Sequence, residues 1–176
     1  KEFTEALNFF KSKTIHAMNT KKVLEKSVLY GGVKYDFGLG GIHGTCGPGI
    51  HRNDNEGDLI LVDVSSYYPN LAITNGFYPQ HLSPKFCDDE YSPMYDTKFM
   101  LDITINGQLL LCMLAEKITD LGITIVQVNT DGILVKVTKE QKPLLNKACD
   151  KWMKFTKLKL DYDLFKVIVQ RDVNNY

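Results

Sequence analysis

The sequence predicts an α+β fold with strands and helices in the order β-α-β-β-α-β. Three observations carry that prediction. Runs rich in β-branched residues at Asp58–Val64, Ile123–Val128 and Ile133–Val137 read as buried strands. Phe99, Ile103, Leu110, Leu114, Ile118 and Leu121 fall on one face of a helix over about 98–121. Asn129-Thr130-Asp131-Gly132 separates two of the strands, and Asp-Gly between such runs is a hairpin signal.

Taken in order, residues 1–30 place Phe3, Leu7, Phe10, Val23 and Leu24 among basic residues at helical spacing, which predicts one or two short helices. Residues 31–57 are rich in Gly, Asn and Asp and are expected to be mostly loop. Within them, "FGLGGIHGTCGPG" either lets backbone approach a ligand closely or is a turn-rich connection. The first strand follows, ending on Asp63. The long helix is stopped by Gly122. After the hairpin, Thr138 and Gln141 have the spacing of a capping box and start a Lys-rich amphipathic helix through about Phe155. Leu164–Arg171 reads as the last strand. This order is the split-βαβ, or ferredoxin-like, plan: an antiparallel sheet with helices on one face. Residues 1–57 then form a helical and Gly-rich segment leading into a domain over 58–176.

Bulk properties narrow the function classes. The chain has 176 residues, 44% hydrophobic and 24% charged, with a formal net charge of zero. Neutrality argues against a free-standing nucleic-acid binder, which usually carries a basic excess, but not against a piece of a larger machine. Four scattered cysteines, with no secretory signal and no apolar run judged long enough to span a bilayer, point to a reduced, cytoplasmic setting without a membrane partner. His43, Cys46 and His51 raise the question of zinc. A zinc site usually needs a fourth ligand from a second cluster, and a Gly-rich loop with incidental His and Cys is the simpler reading.

The βαββαβ plan carries a consequence for Asp63 and Asp131. Strands one and three lie side by side and antiparallel, so the end of the first strand meets the hairpin, and the two aspartates become neighbours. Adjacent carboxylates repel, and either one keeps its proton or a cation neutralises both. A hard oxygen pair suits Mg2+, which binds through one or two carboxylates plus substrate phosphates. Two such ions about 4 Å apart serve phosphoryl or nucleotidyl transfer. Each aspartate taken alone is better explained as a turn residue, a helix cap or a strand end.

The motif around Asp63 adds to that. "DVSSYYPN" (63–70) resembles motif A of family B DNA polymerases, D-x-x-S-L-Y-P-S, with Asp63, Ser66, Tyr68 and Pro69 matching and Tyr67 in place of Leu. "VNTDG" (128–132) resembles motif C, Y-G-D-T-D-S, with Thr130 and Asp131 matching, Asn129 for the first Asp and Gly132 for Ser. "TINGQLL" (104–110) resembles the T-x-x-G-R stretch, with Gln108 for Arg. "GLGGIHG" (38–44) lies where the family has a Gly-rich element, and "RDVNNY" (171–176) where it has a basic-aromatic one. The whole is most similar to phage or mobile-element polymerases with N-T-D-G, and covers about residues 36–176. The stretch between motifs A and C is too short for the family's fingers, and neither thumb nor proofreading exonuclease is represented, so the chain reads as a polymerase palm within a larger enzyme, in the host cytoplasm if viral.

The resemblance implies roles. Asp63 and Asp131, with the Val64 carbonyl, would hold two Mg2+ ions, with Mn2+ as a substitute. Backbone N–H groups from Ser65 to Tyr67 would meet the incoming dNTP, and Tyr68 would lie under its deoxyribose and clash with a 2′-hydroxyl; Tyr67 is better read as core. Thr130 would orient the hairpin, and Arg171 and Tyr176 would touch the primer of a primer-template DNA. Fingers, thumb and an exonuclease are the implied partner domains. Three other readings compete. An RNA-binding module on this plan needs aromatics on the central strands, and "LILVDV" and "ILVKV" have none. Another two-metal enzyme of palm topology, such as a nucleotide cyclase, lacks a reason for Tyr68-Pro69 after Asp63. A catalytically inactive polymerase-derived scaffold has no need of both aspartates.

Overall fold

Val62 and Val64 are fully buried while Asp63 between them is half-buried, and that alternation sets the architecture. Successive side chains of a strand point to opposite faces, so one face of this strand turns its valines to a helical layer and the other turns Leu59, Leu61 and Asp63 away from it. The computed structural model describes residues 26–77 and 97–172, with 4–5 and 8–9. Its elements are β1 (Lys26–Tyr30), β2 (Val33–Phe37), β3 (Ile42–Thr45), β4 (Gly49–Arg52), β5 (Asp58–Val64), α1 (Tyr67–Asn75), α2 (Thr97–Asp120), β6 (Thr124–Asn129), β7 (Gly132–Val137), α3 (Lys142–Thr156), β8 (Leu160–Phe165) and β9 (Val167–Gln170). The fold is α+β. A seven-stranded sheet in the order β1-β2-β3-β6-β7-β5-β8 is antiparallel at every pairing, and β4 and β9 form a separate two-stranded ribbon.

The helices share the valine face. Tyr67 and Leu71 of α1, Leu111, Leu114 and Ile118 of α2, and Leu145 and Trp152 of α3 join Val62, Val64, Ile133 and Val135 in one core. Each large apolar side chain so buried contributes about 1.5–3 kcal/mol. Trp152 also donates its indole N–H to the Leu110 carbonyl at 2.9 Å, fastening α3 to α2. On the opposite face Leu59, Val126 and Leu134 pack under Ile168 of the ribbon, flanked by Leu61 and Phe165. A bulge in β6 serves both sides. Ile125 faces Val135 and Gln127 faces Leu134, so the extra residue, Val126, turns Gln127 to the Asp63 side.

Several expectations hold. Strands at Asp58–Val64, Thr124–Asn129 and Gly132–Val137 and the helix Thr97–Asp120 are present within a residue or so. The Thr138–Gln141 pair is reciprocal, with Gln141 N–H donating to Thr138 Oγ1 at 3.3 Å and Thr138 N–H to Gln141 Oε1 at 3.1 Å, but it closes the turn that leads into α3, whose N-cap is Gln141. Four are corrected. Residues 31–57 are not mostly loop but hold β2, β3 and β4. Gly31 and Gly32, with φ of 56° and 80°, supply the two left-handed positions of a tight hairpin turn, and V-K-Y-D-F alternates buried and exposed after it. Lys26–Tyr30 is a strand paired with β2, not helix; residues 4–5 and 8–9 are helical and the remainder of 1–25 lies outside the described residues. The last strand is not one piece. Leu160–Phe165 pairs with β5, then the chain turns at Lys166 and β9 crosses to β4, because Ile168 covers apolar side chains on the face away from the helices. Finally, α2 is long and apolar enough, by length and composition, to cross a membrane, contrary to the expectation that no run is. Half of that stretch is buried against the sheet and the other helices, as a core helix requires.

Candidate metal and nucleotide site

β5 delivers Asp63 to the end of the sheet where the β6–β7 turn lies. Asp63 is the Cα partner of Gly132, and Val64 N–H donates to the Asp131 carbonyl at 3.0 Å. The two aspartates are therefore neighbours on one rim, with Asn129 beside them. Together they line one end of a small cavity of about 80 Å³ whose far wall is Leu61, Leu134, Phe165 and Ile168. The turn itself is constrained. Thr130 has φ 47°, uncommon for a β-branched residue, and its N–H donates to the Ile42 carbonyl at 2.8 Å. Thr130 thus ties the hairpin to the first residue of β3, and Gly41 just before it leaves room for the Thr130 side chain.

Crowding shows in the acidity of the pair. Burial, then the charges of Asp131, Asp163 and Asp161, raise the Asp63 carboxyl from 3.8 to about 6. Burial also raises Asp131. Lost water and three neighbouring carboxylates together raise Asp63, so the rim attracts positive charge. Among the described residues no three His, Cys, Asp or Glu side chains are arranged to hold a metal. The donor set is an open carboxylate pair rather than a closed protein cage. That fits Mg2+, which keeps waters and takes substrate phosphates as further ligands, and does not fit a structural zinc. Of the residues raised for zinc, Cys46 Sγ lies 4.0 Å from His51 Nε2, and His43 sits on β3 opposite Asn129.

Asp161 is a site residue that the sequence reading missed. It lies directly across from Asp63 on β8, accepts a hydrogen bond from the Ser65 hydroxyl, and pairs with Lys159 at 3.1 Å. These two partners, Ser65 first, hold its carboxyl below the usual range. The available signal was the alternation L-D-Y-D-L, but β8 is an edge strand exposed along most of its length, so no burial pattern marked it.

The strand-to-helix turn after Asp63 departs from expectation at one point. Ser65 N–H donates to the Lys159 carbonyl at 3.0 Å, so it is not available to a triphosphate. The β5–β8 ladder runs one residue further than the motif suggested and consumes it. Ser66 takes a left-handed conformation, φ 45° and ψ 54°, as the N-cap of α1, and makes no side-chain cap bond. The amides of Ser66, Tyr67 and Tyr68 head the helix, where backbone donors and the helix dipole favour an anion.

Tyr67 is core, as expected: it is 4% exposed and its hydroxyl donates to the Gly107 carbonyl at 2.6 Å. Tyr68 stacks on it with ring centroids 5.6 Å apart and stays half-buried at the surface. Burial and the charge of Asp131 push the Tyr68 hydroxyl up to about 12, which places the ring within the field of the acidic rim. Gln108, fully buried on α2, bonds Gly38 through both ends of its amide. Arg171 is exposed beyond β9, pairs with Asp172 at 3.8 Å and is not part of the cavity wall. Tyr176 lies outside the described residues, as do residues 78–96, where the fingers question falls. The lysines of α3 are exposed, except Lys142, which pairs with Asp58.

No protein-family model matches the chain, and no curated protein matches it.

Proposed function

We propose that this chain is the palm of a DNA polymerase similar to family B enzymes, transferring a deoxynucleotide from a dNTP to a primer 3′-hydroxyl on template DNA. The observation that carries the reading is the β5–β7 pairing, which sets Asp63 against the turn that holds Asp131. Strand order β8-β5-β7-β6 with α1–α3 on one face supports it, since this is the ferredoxin-like order a palm requires. So does the half-burial of Asp63 and Asp131, which leaves both carboxylates in part accessible beside one cavity.

The residues divide the work. Asp63 and Asp131 would hold two Mg2+ ions, which supply a lowered pKa at the primer hydroxyl and charge neutralisation at the phosphate. Asp161 keeps the Ser65 hydroxyl turned to the β8 side and fixes the turn that starts α1. The amides of Ser66 to Tyr68 meet the triphosphate at the helix N-terminus. Tyr68, adjacent to the rim and half-buried, presents its ring where a ribose would sit. Thr130 keeps the hairpin in register with the Gly-rich segment. Fingers and thumb domains, primer-template DNA and dNTP are the partners this reading calls for.

Primer extension by the intact protein with Mg2+ tests it. Asp63→Asn and Asp131→Asn each abolish incorporation of dNTP while circular dichroism and melting show a retained fold. Full activity in either variant refutes the reading.

A further inference from the structure

The Tyr68 ring is held at two points by groups that do not belong to the acidic rim. Its hydroxyl donates to the Gly40 carbonyl at 2.5 Å. Its edge rests on α2 at Gly107, where an added Cβ would come 3.1 Å from Tyr68 Cε1. The carbonyl belongs to the strap Gly38-Leu39-Gly40-Gly41, and a strap so rich in glycine has little rigidity of its own. It is the turn between β2 and β3, closed by the Gly38 N–H donating to the Gly41 carbonyl at 3.0 Å, and what fastens that turn to α2 is Gln108, the residue after Gly107. Its amide nitrogen donates to the Gly38 carbonyl at 2.8 Å, and its oxygen accepts the Gly38 N–H at 3.2 Å. Gln108 is 0% exposed, so both ends of its amide depend on Gly38, and the Gly38 carbonyl on Gln108, while the Gly38 N–H is shared with the Gly41 carbonyl at 3.0 Å.

We propose that Gln108 is a positioning residue for sugar selection. By way of the strap it fixes the Gly40 carbonyl, hence the Tyr68 hydroxyl, hence how far the ring projects beneath the ribose. The inference rests on the polymerase reading and names which residues set its sugar specificity. Gln108 itself touches no nucleotide. When the strap is released, the hydroxyl loses its anchor and the ring can swing aside to admit a 2′-hydroxyl. Stacking on Tyr67 alone does not prevent this, since stacked rings slide at little cost.

The test measures kcat/KM for a dNTP and the matching NTP in the intact protein, in Gln108→Leu, in Tyr68→Phe and in the double variant. Gln108→Leu keeps the volume and removes both amide bonds. Tyr68→Phe keeps the ring and removes the bond to Gly40. The deoxy-to-ribo ratio falls about tenfold in Gln108→Leu, mainly through a lower KM for the NTP, and falls in the same direction in Tyr68→Phe. The double variant falls no further than Gln108→Leu, because both changes cut one chain of contacts. A wild-type ratio in either single variant overturns the proposal and leaves the polymerase reading standing. A wild-type protein that incorporates neither nucleotide overturns both. If circular dichroism shows that Gln108→Leu does not fold, Tyr68→Phe alone decides.

Discussion

Asp63 stands opposite Gly132 across the β5–β7 ladder, and its Oδ1 lies 2.8 Å from the point that a Cβ on Gly132 would occupy. The Leu61 Cδ1 is 3.0 Å from the same point. The glycine of "NTDG" is therefore room for a carboxylate as well as a turn residue. Gly132→Ala must push the Asp63 carboxylate off its place. Mg2+ affinity, measured by calorimetric titration, falls about tenfold, the scale seen when a group supporting a metal ligand is disturbed. Unchanged affinity would mean that the carboxylate position does not govern metal binding.

The acidity of Asp63 makes the metal-free protein sensitive to pH in a stated direction. Its folded value, about 6, lies above the ordinary 3.8, so the folded state holds the proton more tightly than the unfolded chain. The stability this contributes is fully present below the unfolded value and is lost as pH rises through the folded one. Without divalent cations the melting temperature falls across that window, and Mg2+ restores more stability at neutral pH than at pH near 5. Asp63→Asn removes the charge and stabilises the metal-free protein at neutral pH by about 1 kcal/mol, after discounting for solvent screening of a half-buried group. Denaturant melts read this directly; destabilisation by Asp63→Asn would contradict it.

Removing the Tyr68 ring tests the gate itself. Tyr68→Ala raises ribonucleotide use relative to deoxyribonucleotide use by about tenfold or more, in steady-state incorporation assays. Unchanged sugar discrimination would leave the ring with a packing role on Tyr67 and Gly107.

One prediction concerns the scaffold. Thr138 and Gln141 exchange two hydrogen bonds in the turn that leads into α3, and Trp152 of that helix reaches the Leu110 carbonyl. Thr138→Ala deletes the hydroxyl acceptor and lowers the stability of the fold by about 1 kcal/mol in urea unfolding. No measurable loss would show that the helix is held by its packing alone.

The parts of this molecule that can be read from its residues are those where burial repeats along the chain. Val62 and Val64 flanking Asp63, the Ile125–Val128 and Ile133–Val135 runs, and the α2 stripe through Leu114 and Ile118 face a common core, and their periodicity carries the strand and helix assignments. Asp63 and Asp131 come together because the chain order fixes which strands neighbour. The glycines of 31–57 obscured an alternation, Val33-Tyr35-Phe37, that was present all along. The split of β8 from β9 was hidden for another reason: Ile168 is buried by what lies across the sheet, which local pattern does not encode. The partners of Asp161 and Gln108 are not legible because their contacts, to Ser65 and to Gly38, join segments remote in sequence, and the alternation around Asp161 lies on an exposed edge strand that no burial pattern marks. The Ser65 amide was misassigned because a ladder bond to Lys159 is a property of pairing, not of the motif.

The claim on which the rest depends is that Asp63 and Asp131 bind divalent cations as one unit. Mg2+ or Mn2+ titration of the wild-type protein, Asp63→Asn, Asp131→Asn and the double variant, followed by calorimetry, tests it most directly. Either single substitution should remove cation binding as completely as the double does, with the fold retained. Wild-type affinity in one single variant, or losses that simply add, would contradict it.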